Sequence, residues 1–404
     1  MDEKITRYLT AAACMLMGIA VGVVVTFTTL SGGMGAQDQA DPALQAGIDK
    51  YQEILELVDQ YYIGGDEVDM DAVNDAMAAG VIEGLGDRWS YYVSAGEYQS
   101  YVENINNAYV GVGITISAKT DEDGELLGYE VTDVTSGGPA QEAGVLAGDV
   151  LIAVNGTSVA DITLEETKNM VKGQEGTTVE LTFLREDQAY TVTVERRTLT
   201  VIPAEGRLLE GGVGYITIDN FDAGCAETVR GLVEDLRDQG AMSLLFDVRN
   251  NPGGLKRELT DLLDYLLPEG VIFHTVNYAG EEEIVSSDAS CIDMPMAVLV
   301  NENSYSAAEY FACALQEYGA AAVIGEKTYG KGYYQVGLEL SDGSCLNLSI
   351  GKYYTPQGKS LIDVGVTPDM EIPLTDEEAL ALARGQLDPA EDPQVQTAIG
   401  SLKP

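Results

Sequence analysis

The chain has 404 residues, room for two or three domains, and its 66 acidic against 22 basic side chains give a formal charge of −44. Such a surface repels polyanions and excludes a nucleic-acid-binding role. The 45% apolar content supplies a real core, so the acidity speaks to solubility more than to mechanism.

The first element in chain order is an uncharged run, Leu9 to Leu30, long enough to cross a bilayer as a helix. Lys4 and Arg7 precede it and Asp38 is the next charge, which places the basic tip in the cytoplasm and the rest outside. The expectation is a single-pass signal-anchor over residues 1–31; a cleaved signal peptide is the alternative. From Pro42 to Asn107 the pattern is helical, with Ile48, Tyr51, Ile54, Leu55, Val58 and Tyr62 at helical spacing. These amphipathic helices need a partner surface, in the same chain or in a second copy.

After Asn107 short β runs with turn glycines take over (YVGVGITISA, DVLIAVNG, TTVELTFLRE), interrupted by one helix around LEETKNMVKG. From about Val201, β segments such as SLLFDVR and MAVLVN alternate with helical ones, the mark of a βα-built domain. The last stretch, 376–404, reads as a surface segment with short helices. Cys225, Cys291, Cys313 and Cys345 form no CxxC pair, so no metal site is expected; two disulfides remain open.

Three stretches could carry chemistry. Ser306 opens Ser306-Ala-Ala-Glu309, which fits the S-x-x-E capping box, yet free amides at a helix N-terminus could equally receive an oxyanion formed by a serine nucleophile. Lys331 lies in GEKTYGKGYYQ, the front of a P-loop, but Gly332 stands where the Mg²⁺-binding hydroxyl belongs and a strand-like run follows. As a base, this lysine needs burial, because at a pKa of about 10.4 only about one in a thousand is neutral near pH 7.4. Gln335, four residues on, is a neutral amide that could orient the amine without holding its proton. The glycines of DVRNNPGG, Asp247 to Gly254, would let backbone N–H groups approach a substrate. The single histidine, His274, reads as a strand residue, which favours a lysine over a histidine as any serine's base.

Together, LGDRWSYYVSAGEYQSY, YVGVGITI with SGGPAQEAGVLAGDVLIAVNG, DVRNNPGG, NENSYSAAE, GEKTYGKGYYQ and KYYTPQGKSLIDVGVTPDM resemble the carboxy-terminal processing peptidases, S41-type serine peptidases that join a PDZ domain to a Ser-Lys site. The resemblance spans nearly the whole chain. It implies a multidomain α+β and α/β protein: membrane helix (1–31), helical region (42–107), PDZ domain (108–197), peptidase core (198–375) and C-terminal tail (376–404). Carried over residue by residue, it makes Ser306 the nucleophile, Lys331 the base and Gln335 its orienting partner, with Gly253 and Ala307 as the oxyanion hole. The PDZ loop Val110, Gly111, Val112, Gly113 and Ile114 would take a substrate's C-terminal carboxylate, and Lys172 would help a gating switch. Tyr305 departs from the family's usual alanine, and Tyr333-Tyr334 from its small or β-branched residues. The implied function is a membrane-anchored endopeptidase that needs no cofactor, acts on proteins with free C-termini and forms a homodimer through 42–107; an inactive PDZ scaffold is the rival.

Overall fold

The computed structural model describes residues 41–64, 68–120, 126–186 and 188–402. The expected span Leu9–Leu30 lies outside them; among the described residues no helix is long and apolar enough to cross a membrane. The chain divides into two compact units, up to Asn74 and from Asp75 onward. In the first, Asp41 caps the helix Pro42–Tyr61 by accepting the Ala43 N–H at 3.0 Å. That helix has no buried residue, and Leu44, Ile48, Tyr51, Ile54 and Leu57 form an exposed apolar stripe.

In the second unit, region 42–107 proves not to be purely helical. Tyr91–Val93 is a strand that pairs antiparallel with Cys345–Asn347, the start of the strand Cys345–Tyr354. Its alternation spans three residues, too short a pattern to show in sequence.

The run YVGVGITISA breaks in two at Val112-Gly113, where Gly113 takes φ +79°. Ala108–Gly111 pairs with Arg197–Thr200 as a two-stranded ribbon. Ile114–Thr120 begins a separate sheet and is its edge strand, hydrogen-bonded on one side only, to Leu126–Val134. The helix Leu164–Val171 packs on this sheet over a core that includes Val131, Leu151, Leu181 and Phe183. The foot of the ribbon is fixed by Asn107, whose amide donates to Asn220 Oδ1 (3.0 Å) and to the Ala223 carbonyl (3.1 Å).

The central sheet has strand order Ala204–Leu209, Val213–Ile218, Ser243–Asp247, Met296–Val300, Ala321–Gly325, Met370–Glu371, parallel except for the first pair. Alternate residues serve two cores. Leu244, Phe246, Val298 and Val300 meet the helices Cys225–Asp238, Lys256–Leu266 and Ala307–Glu317 on one face. Leu245, Ala297, Leu299 and Ile324 meet Val395 and Ala398 on the other. The last segment is therefore no surface tail: the helix Pro393–Ser401 closes the second face of the sheet. The residue that ties it in is Asp392, paired with the buried Arg249 at 2.7 Å.

Candidate active site

Asp247, Val300 and Gly325 end three neighbouring parallel strands, and the loop after each carries one of the sequence motifs. Open α/β sheets bind ligands at this carboxyl edge. The loops are stitched to one another: Tyr305 N–H donates to the Asn251 carbonyl (3.2 Å) and Tyr329 N–H to the Ser304 carbonyl (3.2 Å). Ser304, fully buried, donates its hydroxyl to the Val248 carbonyl at 2.7 Å and accepts the Asn301 N–H at 3.0 Å.

Ser306 heads the helix Ala307–Glu317 with φ 58° and ψ −121°, and its hydroxyl makes no capping bond. A non-glycine residue there costs on the order of 1–3 kcal/mol and persists only when its surroundings impose it. The constraint is visible at Gly253, φ +93°, where an added Cβ would lie 2.7 Å from both Ala307 N and Ser306 Cβ. Ala307, Ser306 and Gly253 thus converge. The Gly253 N–H is not free, however; it donates to Asn251 Oδ1 at 2.8 Å.

Lys331 lies in the third loop, held from the Ser306 helix. Glu309 Oε1 accepts Thr328 Oγ1 (2.6 Å) and Gly330 N–H (2.7 Å), and Oε2 accepts Lys331 N–H (3.0 Å). Burial pushes the Glu309 carboxyl up despite these bonds. Burial also pulls the Lys331 amine down to about 8, against the opposing pull of Asp87 and Glu309. At that value about one lysine in five is neutral at pH 7.4, some two hundred times the unperturbed fraction. Among the described residues the amine has no carboxylate partner and rests 4.6 Å from the centre of the Trp89 ring.

Gln335 is on the strand Tyr333–Glu339, and its amide donates to Ser349 Oγ at 3.0 Å, not to the lysine. The same strand rules out the helix a P-loop requires. A cleft of about 780 Å³ opens beside Lys331, with Arg88, Trp89, Tyr333 and Lys352 among its walls. His274 stays in the strand Gly270–Asn277, against the Tyr354 ring and 3.7 Å from Glu282. All four cysteines beyond the expected membrane span are unpaired, and among the described residues no cluster suited to a metal ion is found.

In the smaller domain, the Val112 and Gly113 carbonyls accept N–H groups of Ala140 (2.8 Å) and Thr135 (3.0 Å). Val110 N–H donates to Glu103 Oε2 at 3.3 Å, while Gly111 closes the ribbon against Arg197 and Ile114 starts the edge strand. Lys172 is the exposed C-cap residue of the helix Leu164–Val171. The side chain that grips that helix end is Arg196, buried, donating to the Val171 carbonyl at 2.7 Å and to the Met170 carbonyl at 3.2 Å. Sequence reasoning missed Trp89 and read Glu309 only as half of a capping box; no local pattern announced either, because both act on a loop distant in sequence.

Residues 212–372 match the model of peptidase family S41, and residues 130–185 that of the PDZ domain. The chain is 34% identical over 309 residues to the chloroplastic carboxyl-terminal-processing peptidase 2 of Arabidopsis thaliana, covering 73% of this chain and 60% of that one. It is 30% identical over 357 residues to a protein described as a CtpA-like serine protease in Staphylococcus aureus (strain MSSA476), covering 87% and 70%. In fold it is similar to a crystal structure from Bacteroides fragilis assigned to the S41 proteases, with a TM-score of 0.51, 17% identity, and 82% and 90% of the two chains covered.

A PDZ module joined to a serine-peptidase core defines the class. The chain belongs to peptidase family S41, alongside the carboxyl-terminal-processing peptidases.

Proposed function

We propose that this chain is a serine endopeptidase that holds substrate C-termini on its PDZ domain and cuts near them with Ser306 and Lys331. The observation that carries this reading is the uncapped Ser306 hydroxyl, at a strained backbone position in the same loop cluster as a desolvated lysine. Ser306 Oγ attacks the scissile carbonyl carbon while the neutral Lys331 amine takes its proton. The carbonyl oxygen becomes an oxyanion facing the Ala307 N–H, and the Gly253 N–H joins when it exchanges Asn251 Oδ1 for that charge. Lys331 then returns the proton to the leaving amine as the C–N bond breaks. Water, deprotonated by the same lysine, hydrolyses the acyl ester and regenerates the serine.

The free edge of Ile114–Thr120 offers a place for an extended substrate tail to add as a strand, with the Val112-Gly113 turn beside its carboxylate. Leu9–Leu30 anchors the protein in the cell membrane with the catalytic part outside the cytoplasm. The apolar stripe of Pro42–Tyr61 pairs with that of a second copy.

The test is to incubate a soluble fragment from about Gln37 with an unfolded protein, beside Ser306→Ala and Lys331→Ala, and to follow new peptide ends by mass spectrometry. Cutting by the wild type alone supports the dyad. Full-rate cutting by Lys331→Ala removes the lysine from its role, and no cutting even with added C-terminal peptides leaves the inactive scaffold as the better reading.

A further inference from the structure

Trp89, the chain's single tryptophan, reaches the lysine from far away in sequence. Its loop is built around Asp87, whose carboxylate accepts Trp89 N–H (3.0 Å) and Ser90 Oγ (2.6 Å). Ser90 Oγ in turn accepts Ser349 N–H at 2.9 Å, and Ser349 Oγ accepts the Gln335 amide at 3.0 Å. A run of polar contacts thus joins Gln335 to the loop that bears the ring. The ring is also boxed by aromatics: Tyr329 meets it edge-on at 5.4 Å, Tyr305 lies at 5.9 Å, and the Arg88 guanidinium covers both Trp89 (4.9 Å) and Tyr329 (4.6 Å).

We propose that Trp89 is a positioning residue for the Lys331 amine, and that Gln335 acts on this lysine indirectly, through Ser349, Ser90 and Asp87, by holding the Trp89 ring in place. The proposal deepens the reading of Lys331 as the base and rests on it. Tyr305, which departs from the usual small residue beside the nucleophile, gains a role as one wall of the box.

The ring has two opposed effects on the amine. Its face attracts the ammonium ion, which favours the proton; its bulk keeps water away, which disfavours it. The titratable and charged groups around the amine and its ring are Asp87 and Glu309, which pull on the amine, Arg88, Lys352 and Asp363, which line the same cleft, and Tyr305 and Tyr329, which pack on the ring. Burial is the largest influence on the amine and the Trp89 ring, 4.6 Å away, is part of what covers it, so we expect removal of the ring to raise the lysine's proton affinity.

The experiment titrates Lys331 directly in the full-length chain in detergent. Trace acylation with isotope-coded acetic anhydride across roughly pH 6–11, quantified on the Lys331 peptide by mass spectrometry, gives its midpoint independently of catalysis. A Ser306→Ala background prevents self-cleavage. The wild-type midpoint is expected near 8. Trp89→Leu should raise it by about one unit or more, a tenfold gain in proton affinity, and Trp89→Phe should restore most of the shift. Gln335→Ala should move it in the same direction, and adding it to Trp89→Leu should change little more. A midpoint in Trp89→Leu unchanged from wild type, or a wild-type midpoint near 10.5, overturns the proposal. Proteolysis assays separate the two readings: if the midpoints move as expected while Lys331→Ala still cuts at full rate, the ring positions a lysine that is not the base, and only the catalytic reading fails.

Discussion

Glu309, in the first turn of the helix that Ser306 heads, accepts the backbone N–H of Lys331 at 3.0 Å. The glutamate that looks like a helix cap in sequence is the clasp between the Ser306 helix and the Lys331 loop. Glu309→Ala strips a hydroxyl and two amides of their acceptor. Each buried donor left unpaired costs about 1–3 kcal/mol, so a loss on the order of 3 kcal/mol is expected in urea denaturation, with kcat/KM reduced at least about tenfold as the loop loosens.

Two serines two residues apart should behave in opposite ways. Ser306→Ala removes a hydroxyl that caps nothing, so the chain should lose activity while its stability changes by less than about 0.5 kcal/mol, against about 1 kcal/mol for a true cap. Ser304→Ala removes a buried hydroxyl bonded to Val248 and Asn301 and should cost about 1–3 kcal/mol. Thermal unfolding of the two variants side by side decides it.

With Lys331 as the proposed base, its neutral amine is the active form, so kcat/KM should rise with pH and reach half its plateau near 8. Stability has the matching sign. Between about 8 and 10.5 the unfolded chain holds the proton that the folded chain has released, so folding is favoured progressively as pH rises through this window and loses that contribution as pH falls through 8. Lys331→Met should flatten both curves. Denaturation midpoints that run parallel in wild type and variant across this range would contradict the expectation.

At the PDZ turn, Gly113 has φ +79° and an added Cβ would press on Thr135 Cβ at 3.1 Å. Gly113→Val should distort the turn and weaken binding of peptides with free C-termini by about tenfold or more in calorimetry, while C-terminally amidated peptides bind poorly to both forms.

Arg249 is buried between Asp247 and Asp392. Asp392→Ala leaves part of that charge uncompensated and should destabilise the protein by about 3–5 kcal/mol, visible as a lowered urea midpoint. A surface tail would have tolerated the change.

These residues also show where sequence was informative. The order of DVRNNPGG and NENSYSAAE after the apolar runs SLLF and MAVLV is legible, because each strand-to-loop transition is a local change from apolar run to turn residues. The placement of Ser306, Lys331 and Gly253 at one sheet edge follows from that topology. What was not legible depends on pairing over distance: nothing in LGDRWSYYV announces that Tyr91–Val93 joins a strand near residue 345, so Trp89 could not be placed on the lysine. The bond that the Gln335 amide donates to Ser349 Oγ is equally silent in sequence, because it depends on the pairing of two neighbouring strands. The segment 376–404 reads as surface in sequence because the burial of Asp392 and Gln394 depends on the distant Arg249, to which both are bonded.

The bond between Ser349 and Ser90 links residues 259 positions apart. A chain emerging from the ribosome displays the Trp89 loop early and the strand that receives it near the end of synthesis. Until that strand arrives, the Ser349 N–H that Ser90 Oγ accepts is not in place and the Trp89 loop lacks this anchor. On the proposed reading of Lys331 as the base, activity is then expected only after these last sheet strands have paired.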